Sequence, residues 1–455
     1  MEKGSTILDD LIKDFRKISE NFTDYRTGKN TQYEIADAVM SGFSVFFMQS
    51  ESFLEWQRRM NDEEESSNMK TLFRVEKIPG DTQIRNILDH ISPEEIYPMW
   101  MSIIQRVKSK GQLEKFTGYN GNYLIAMDGT KYHSSEKIHC KNCSTRTTNG
   151  EKRYFHYALS PALVQSGPSK NMVLVLEPEF ITPQDGYDKQ DCENAAAKRW
   201  LLKYGKKYKG KGTILGDALY ACETICRQIL SEGLDFILIC KPGSSPYIFQ
   251  NELPMAETLN DIKIIEERVW NASKNRGEKY QYRYINKIRM VNPGYSKEEF
   301  RVNYCELTIK DERTDKVIYH NSFVTNFEIT DLNVRDIIRD GRSRWSVENG
   351  DYNILKNHGY HGEHNFGHGD QYLSSTLFTL NLLAFLFHTT LELIDPVYQG
   401  LLKKFKSHYH LFTQIQEMSI FFIFTNWQLF FELIGRPKDQ KVSAEQFLNF
   451  LNSLS

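Results

Sequence analysis

Apolar and polar positions along this chain change period several times. From about Thr6 to Leu113, apolar residues recur at helical spacing among many charges, and Ile35 to Phe47 is amphipathic. Asn61-Asp-Glu-Glu-Glu-Ser-Ser reads as a solvated loop or helix end. Ile78-Pro-Gly-Asp-Thr predicts a turn and then a helix capped by Asp81 or Thr82, and Ser92-Pro-Glu-Glu a second start with proline just inside it. Short apolar runs then take over. One ends at Asp128 (Tyr123-Leu-Ile-Ala-Met-Asp), and Tyr154–Leu159 and Met172–Leu176 are expected to complete an antiparallel meander with it. Asp191 to Tyr204 reads as a helix, Thr213 to Asp217 as a strand, Ala218 to Ser231 as a helix and Phe236 to Cys240 as a fifth strand. Around Tyr282, Tyr304 and Tyr319 the period falls to two, which predicts strands. Helical spacing resumes at Asn333, stops at a glycine- and histidine-rich loop, and returns as an apolar helix from Leu373 to Ile394 with two or three helices after it.

These shifts divide the chain into five regions: a helical region over 1–113, a mixed core over 114–242, a β-rich insertion over 243–330, a second part of the core over 331–394, and C-terminal helices over 395–455. The fold class is α+β or α/β. A chain of 455 residues is long for one core. With 57 Lys and Arg against 59 Asp and Glu, the formal charge is −2, so any surface for nucleic acid must come from local clustering. Arg335, Arg339, Arg342 and Arg344 form one such run, and Lys203, Lys206, Lys207, Lys209 and Lys211 another. The first residues, Met1-Glu-Lys-Gly-Ser-Thr, have no apolar signal core. The most lipid-like stretch, Met418 to Ile434, carries Asn426, Gln428 and Glu432 and reads as a buried or interface helix, so no membrane association is expected. Seven cysteines form no disulfide framework, and a reducing cytoplasm is expected.

The candidate chemistry starts with carboxylates. Asp128 and Asp217 stand where two apolar runs stop, and Arg344 and Glu348 are four residues apart on what reads as one helix, with Lys356 two turns further along the same face. Two strand-end carboxylates and one helical carboxylate suit a pair of hard divalent cations in phosphoryl transfer. Through Met127-Asp-Gly-Thr130, Ile214-Leu-Gly-Asp217 and Arg344-Trp-Ser-Val-Glu348, the chain resembles bacterial insertion-sequence transposases with a ribonuclease H-like core and an Asp-Asp-Glu triad, in the subgroup with a Tyr-Arg-Glu-Lys signature. Gly341 stands where the tyrosine is expected, and Lys356 comes one residue later than the usual lysine.

The resemblance implies a ribonuclease H-like core interrupted by the insertion. It implies that Asp128, Asp217 and Glu348 are catalytic and bind two Mg2+ (or Mn2+) ions. Arg344 and Lys356, with Arg342 and Arg339 on the basic run leading into the site, are expected to contact DNA. The implied activity is cleavage of double-stranded DNA at the ends of a mobile element and joining to a target, by a homodimer bridging both ends, in a bacterial cytoplasm at the nucleoid. The alternatives are a metal-dependent DNA nuclease that does not join, and a non-catalytic DNA-binding protein derived from a transposase. The N-terminal helices, which carry Arg58, Arg59, Lys70, Arg74, Lys77, Arg85, Arg106, Lys108 and Lys110, are expected to recognise the end sequence and to dimerise.

Two further features call for ligand chemistry. His139-Cys140-Lys-Asn-Cys143 is half of a structural zinc site; the other half needs two ligands, for which His133, His139, His156 and Cys192 are candidates that spacing does not separate. Free thiols are the favoured alternative. The loop from Asn357 to Gly369 holds His358, His361, His364 and His368. Its glycines favour a tight loop beside Glu348, with Glu363, His364 and Asn365 supporting the site or touching DNA, over a metal site. Trp345 reads as a packing residue of its helix, and Trp270 as a candidate for stacking on an unpaired base.

Overall fold

The computed structural model describes residues 6–27, 31–60, 67–167, 172–183, 191–291, 299–347, 353–357 and 359–436. It is a mixed α/β protein with one large mixed sheet, a small second sheet and helices around them.

The N-terminal helices are α1 (Ile7–Ser19), α2 (Ile35–Phe47), α3 (Phe53–Met60), α4 (Asn68–Phe73), α5 (Asp81–Leu88) and α6 (Pro98–Ser109). Local signals set several of their ends. Thr6 and Asp9 form a reciprocal capping box on α1, with Asp9 N 3.1 Å from Thr6 Oγ. The cap of α5 is Gly80, one residue before the expected Asp81, and Ser92 caps a short 3-10 turn ahead of α6.

The core strands are β1 (Tyr123–Ala126), β2 (Gly129–Ser135), β3 (Ser144–Thr148), β4 (Glu151–Leu159), β5 (Ala162–Val164), β6 (Val173–Val175) and β7 (Glu179–Ile181). Helix α7 (Glu193–Tyr204), β8 (Gly212–Gly216), α8 (Glu223–Ser231) and β9 (Asp235–Ile239) follow. After α9 (Leu253–Leu259) come the long strands β10 (Lys263–Asn271), β11 (Arg276–Arg289), β12 (Arg301–Asp311) and β13 (Val317–Thr325). The remaining elements named among the described residues are helices: α10 (Val334–Arg342), α11 (Asn353–Asn357), α12 (Leu373–Ile394), α13 (Pro396–Phe405), α14 (His408–Phe421) and α15 (Trp427–Gly435).

The large sheet has nine strands in the order β10-β11-β12-β13-β9-β8-β1-β5-β6. β1, β8 and β9 are parallel neighbours, and β5 runs antiparallel between β1 and β6. The central strands β1 and β8 are buried at every residue, which is why their sequences are apolar throughout instead of alternating. The expected meander is corrected in one respect. Tyr154–Leu159 does not pair with β1; it lies in β4, which joins β2, β3 and β7 in the second sheet. The true partner of β1 is Ala162–Val164, too short for a periodicity signal to register.

Within 243–330, the described residues beyond α9 form β10 to β13 and the turns around them. These strands continue the core sheet, because β13 pairs antiparallel with β9 through Phe323–Ile239 and Thr325–Ile237. The terminal helices share one core with α12. Phe43 and Phe47 of α2 pack on Phe387 of α12, and Phe47 also packs on Trp427 of α15. α12 is long and apolar enough to cross a bilayer, but 94% of its most apolar window is buried inside the protein, as in a core helix. The stretch from Met418 to Ile434 is split between α14 and α15.

Candidate functional site

Strand register brings Asp128 and Asp217 together. Ala126 is the partner of Leu215, and two residues further along each parallel strand stand Asp128 and Asp217. The ladder continues past the strand ends through Met127 N to Leu215 O at 2.8 Å, and the Asp128 carbonyl accepts from Ser160 N at 3.1 Å. Side chains of the same parity on adjacent parallel strands share a face about 4.8 Å apart. Both aspartates are half-buried, with Asp217 Oδ1 also accepting from Leu219 N at 2.8 Å.

Arg344 approaches from the other side, its Nη1 3.5 Å from Asp128 Oδ2. It is 8% exposed and lies in the turn that follows α10, so it does not share a regular helix with Lys356, which sits on the separate helix α11. Glu348 lies outside the described residues. Gly341 is a tight fit where the signature has tyrosine. A Cβ there would meet the Phe323 ring at 2.8 Å and Ile237 at 2.9 Å, so the packing of α10 on β13 and β9 requires a residue with no side chain.

A third carboxylate, missed in the sequence, stands at this site. Glu193, in the first turn of α7, takes a short hydrogen bond from the Tyr220 hydroxyl. Its carboxylate fills the space beside Gly129, where a Cβ would be 2.4 Å from Oε2. Burial pushes the Glu193 carboxyl above its ordinary value; Tyr220 opposes this, Asp217 adds to it, and Arg344 opposes it. A signal existed in the sequence, a glutamate opening a helix between the two strand-end aspartates, but it is a common one.

The other predicted DNA contacts scatter in exposure. Arg342 lies over the Tyr319 ring at 4.4 Å. Arg339 bonds Ser166 Oγ at 2.9 Å and pairs with Asp336 at 2.7 Å. Arg335 is tied to Glu267 at 2.8 Å. Lys356 pairs with Glu363 at 3.0 Å, and His364 and Asn365 are exposed on the following loop. His358 lies outside the described residues. In the lysine run, Lys203 pairs with Glu94 and Glu179, and Lys207 with Glu177, so these two cations have structural partners. Trp345 corrects the sequence reading: at 52% exposed it is a surface residue. Trp270 is exposed on β10.

The Cys140–Cys143 half-site does find its other half. Cys140, Cys143, His156 and His368 place four ligand atoms within 4.8 Å of one another, a group that could hold a metal such as zinc. Among the described residues this is the one such group of three or more; Asp128, Asp217 and Glu193 do not form a second. His156 was among the candidates. The others are accounted for elsewhere: His133 has Nε2 3.3 Å from the Ile138 carbonyl, His139 stacks on Tyr154, and Cys192 precedes α7. His368 comes from the histidine-rich loop, so one histidine of that loop joins a group that could hold a metal. Hydrogen bonding from Cys143 draws the Cys140 thiol below its ordinary value, and the same contact with burial pushes Cys143 up, so one thiolate is favoured at the pair.

The chain matches no protein-family model and no curated protein.

Proposed function

We propose that this protein is a DNA transposase that cleaves double-stranded DNA at the ends of a mobile element and joins the freed 3′ ends to a target. One observation carries the reading. Asp128 and Asp217 follow neighbouring parallel strands in register, in a mixed sheet whose order β6-β5-β1-β8-β9, with only β5 reversed, supports a ribonuclease H-like reading. The resemblance in the sequence adds Glu348 as the third catalytic carboxylate.

The donor type suits hard cations, although Asp128, Asp217 and Glu193 do not by themselves form a group close enough to hold one. Asp128, Asp217 and Glu193 offer only carboxylate oxygens, the ligands preferred by Mg2+ or Mn2+. Two such ions held by Asp128, Asp217 and Glu348 would activate the attacking water or 3′-hydroxyl and stabilise the leaving oxygen. The remaining roles belong to the chain. Arg344 balances the charge of Asp128 and would contact a phosphodiester bound beside it. Tyr220 orients Glu193 beside Gly129, and Glu193 holds a proton or a share of the cation charge according to what the site binds. Lys356, Arg342, Arg339, His364 and Asn365 would contact the DNA backbone. A homodimer places one such site at each element end, in the cytoplasm of a bacterium at its nucleoid.

Incubating the full chain and Mg2+ with duplex carrying the element's terminal repeat, then with a supercoiled target, tests this. The reading expects nicks at the repeat boundary and joined products. Cleavage without joining would make it a nuclease, and end binding without cleavage a transposase-derived DNA-binding protein.

A further inference from the structure

We propose that Cys140, Cys143, His156 and His368 bind one zinc ion, and that this ion staples the loop between α11 and α12 to the second sheet. The assignment is independent of the proposed activity.

Four of the six ligand–ligand edges match those of a tetrahedron, and the other two lie within 4.8 Å. With Zn–S near 2.3 Å and Zn–N near 2.05 Å, tetrahedral edges are about 3.5 Å for sulfur to nitrogen and about 3.3 Å for nitrogen to nitrogen. The Cys140 and Cys143 sulfurs lie 3.5 and 3.4 Å from His156 Nε2, Cys143 Sγ lies 3.2 Å from His368 Nε2, and the two Nε2 atoms are 3.3 Å apart. The Cys140–Cys143 turn is preformed, with Cys143 N bonded to the Cys140 carbonyl at 3.2 Å and Cys140 N directed at the Cys143 sulfur at 3.4 Å. Tyr132 stacks on the His156 ring and on Phe378, which fixes the imidazole against α12. Four atoms so close suit a single ion, and two thiols with two imidazoles suit zinc. All four positions are filled by protein, which marks a structural site. Binding displaces the thiol protons to water.

Three ligands come from the β2–β3 connection and β4, and the fourth from a loop more than two hundred residues later in the chain. That loop is already pinned next to His368. Asp89 accepts from the N–H groups of Asp370, Gln371, Tyr372 and Leu373, and Asn142 Nδ2 bonds the Gln371 carbonyl at 2.6 Å. The ion would add a second link, beside that of Asn142, to the sheet that β2 opens directly after Asp128. It would therefore set the position of the loop holding Glu363, His364 and Asn365.

The full chain, purified under reducing conditions, should carry about one zinc per molecule by elemental analysis. After chelation, added Co2+ should give the visible bands of a tetrahedral thiolate–imidazole site. His368→Gln should weaken zinc binding at least tenfold, whereas His133→Gln, at a neighbouring ring with its own carbonyl partner, should not. Limited proteolysis should cut within residues 359–372 faster after chelation, and added zinc should reverse this. Because His368→Gln removes only the loop ligand, its thermal unfolding without metal should match that of the wild type, and only the wild type should gain stability on zinc addition. The proposal is overturned by substoichiometric metal together with no cobalt spectrum, by iron–sulfur absorption, by a Cys140–Cys143 disulfide as the purified state, or by equal zinc affinity in His368→Gln.

Discussion

The guanidinium of Arg344 stands 3.5 Å from the carboxylate of Asp128, linking the turn after α10 to the end of β1 across the proposed active site. The two side chains are 10% and 17% exposed, so neither charge is fully solvated. A divalent cation arriving at Asp128 would take over the arginine's role as counter-charge. Arg344→Ala should therefore cost about 1–3 kcal/mol without divalent metal, the range for removing a charged hydrogen-bond partner from a mostly buried carboxylate. Thermal unfolding with and without Mg2+ checks this, and the deficit should shrink when Mg2+ is present. An equal deficit in both conditions would make Arg344 a packing residue alone.

Asp128→Asn and Asp217→Asn each replace a hard anionic ligand by an amide of the same shape. Mg2+-dependent cleavage should fall to background, while the Kd for end DNA should change by less than about threefold, roughly 0.65 kcal/mol. Gel-shift and cleavage assays on one preparation separate the two effects. A variant that cuts normally would remove that residue from the catalytic set.

Glu193 gives a pH signature. Its folded-state carboxyl lies above the ordinary value of 4.5, chiefly because burial disfavours the charge. Between those two values the folded state binds more protons than the unfolded one, so this group's contribution is fully present below the ordinary value and is lost as pH rises through the raised one. Glu193→Gln removes that loss. In metal-free buffer, the stability of the variant relative to wild type should grow as pH climbs through that window and then level off. Denaturant melts across the acidic range read it directly, and a flat difference would contradict the burial argument.

Long elements were legible in the sequence, and pairings were not. The helices around Ile35–Phe47 and Leu373–Ile394 and the strands around Tyr282 and Tyr304 carry enough periods to reveal themselves. Ala162–Val164 has three residues and therefore no period, so β4 was put beside β1 in its place. The aspartates were legible because each ends an apolar run. Glu193 and His368 were not, since each acquires its role only from tertiary contact. Cys140 and Cys143 announced a metal half-site, but His156 and His368 lie on elements that meet only when the loop before α12 packs against the second sheet. The exposure of Trp345 was not legible, because helical spacing does not say which face of a short helical segment meets the core.

Trp345 is now the more attractive aromatic near the site. It follows Arg344 directly and is 52% exposed, so truncation should leave stability within about 0.5 kcal/mol of wild type. If it stacks on a base flanking the cleaved bond, Trp345→Ala should weaken DNA binding by about 1–3 kcal/mol. Fluorescence quenching on titration with end DNA reports the same contact. Unchanged affinity with lowered stability would return the residue to a packing role.

Recognition of the element's end is best tested with point substitutions in the N-terminal helices. Deleting residues 1–110 would strip α2 from α12, where Phe43 and Phe47 pack against Phe387, and the remainder would lose its helical core. Several cations of this region are also committed: Arg106 pairs with Asp14 at 2.8 Å and Arg85 with Asp81 at 3.1 Å. The side chains of Arg58 and Arg59 lie outside the described residues. Arg74, Lys77, Lys108 and Lys110 are exposed and can be replaced by alanine without touching the core. If these residues hold the terminal repeat, the fourfold variant should lose affinity for end DNA more than for random duplex, and the salt dependence of binding should fall by about 0.9 log units per log unit of salt for each phosphate contact removed. Anisotropy titrations at several salt concentrations measure both quantities. Equal losses on the two DNAs would mean that these cations contact only the backbone, and the end sequence would then have to be read by the β10–β13 extension or the C-terminal helices.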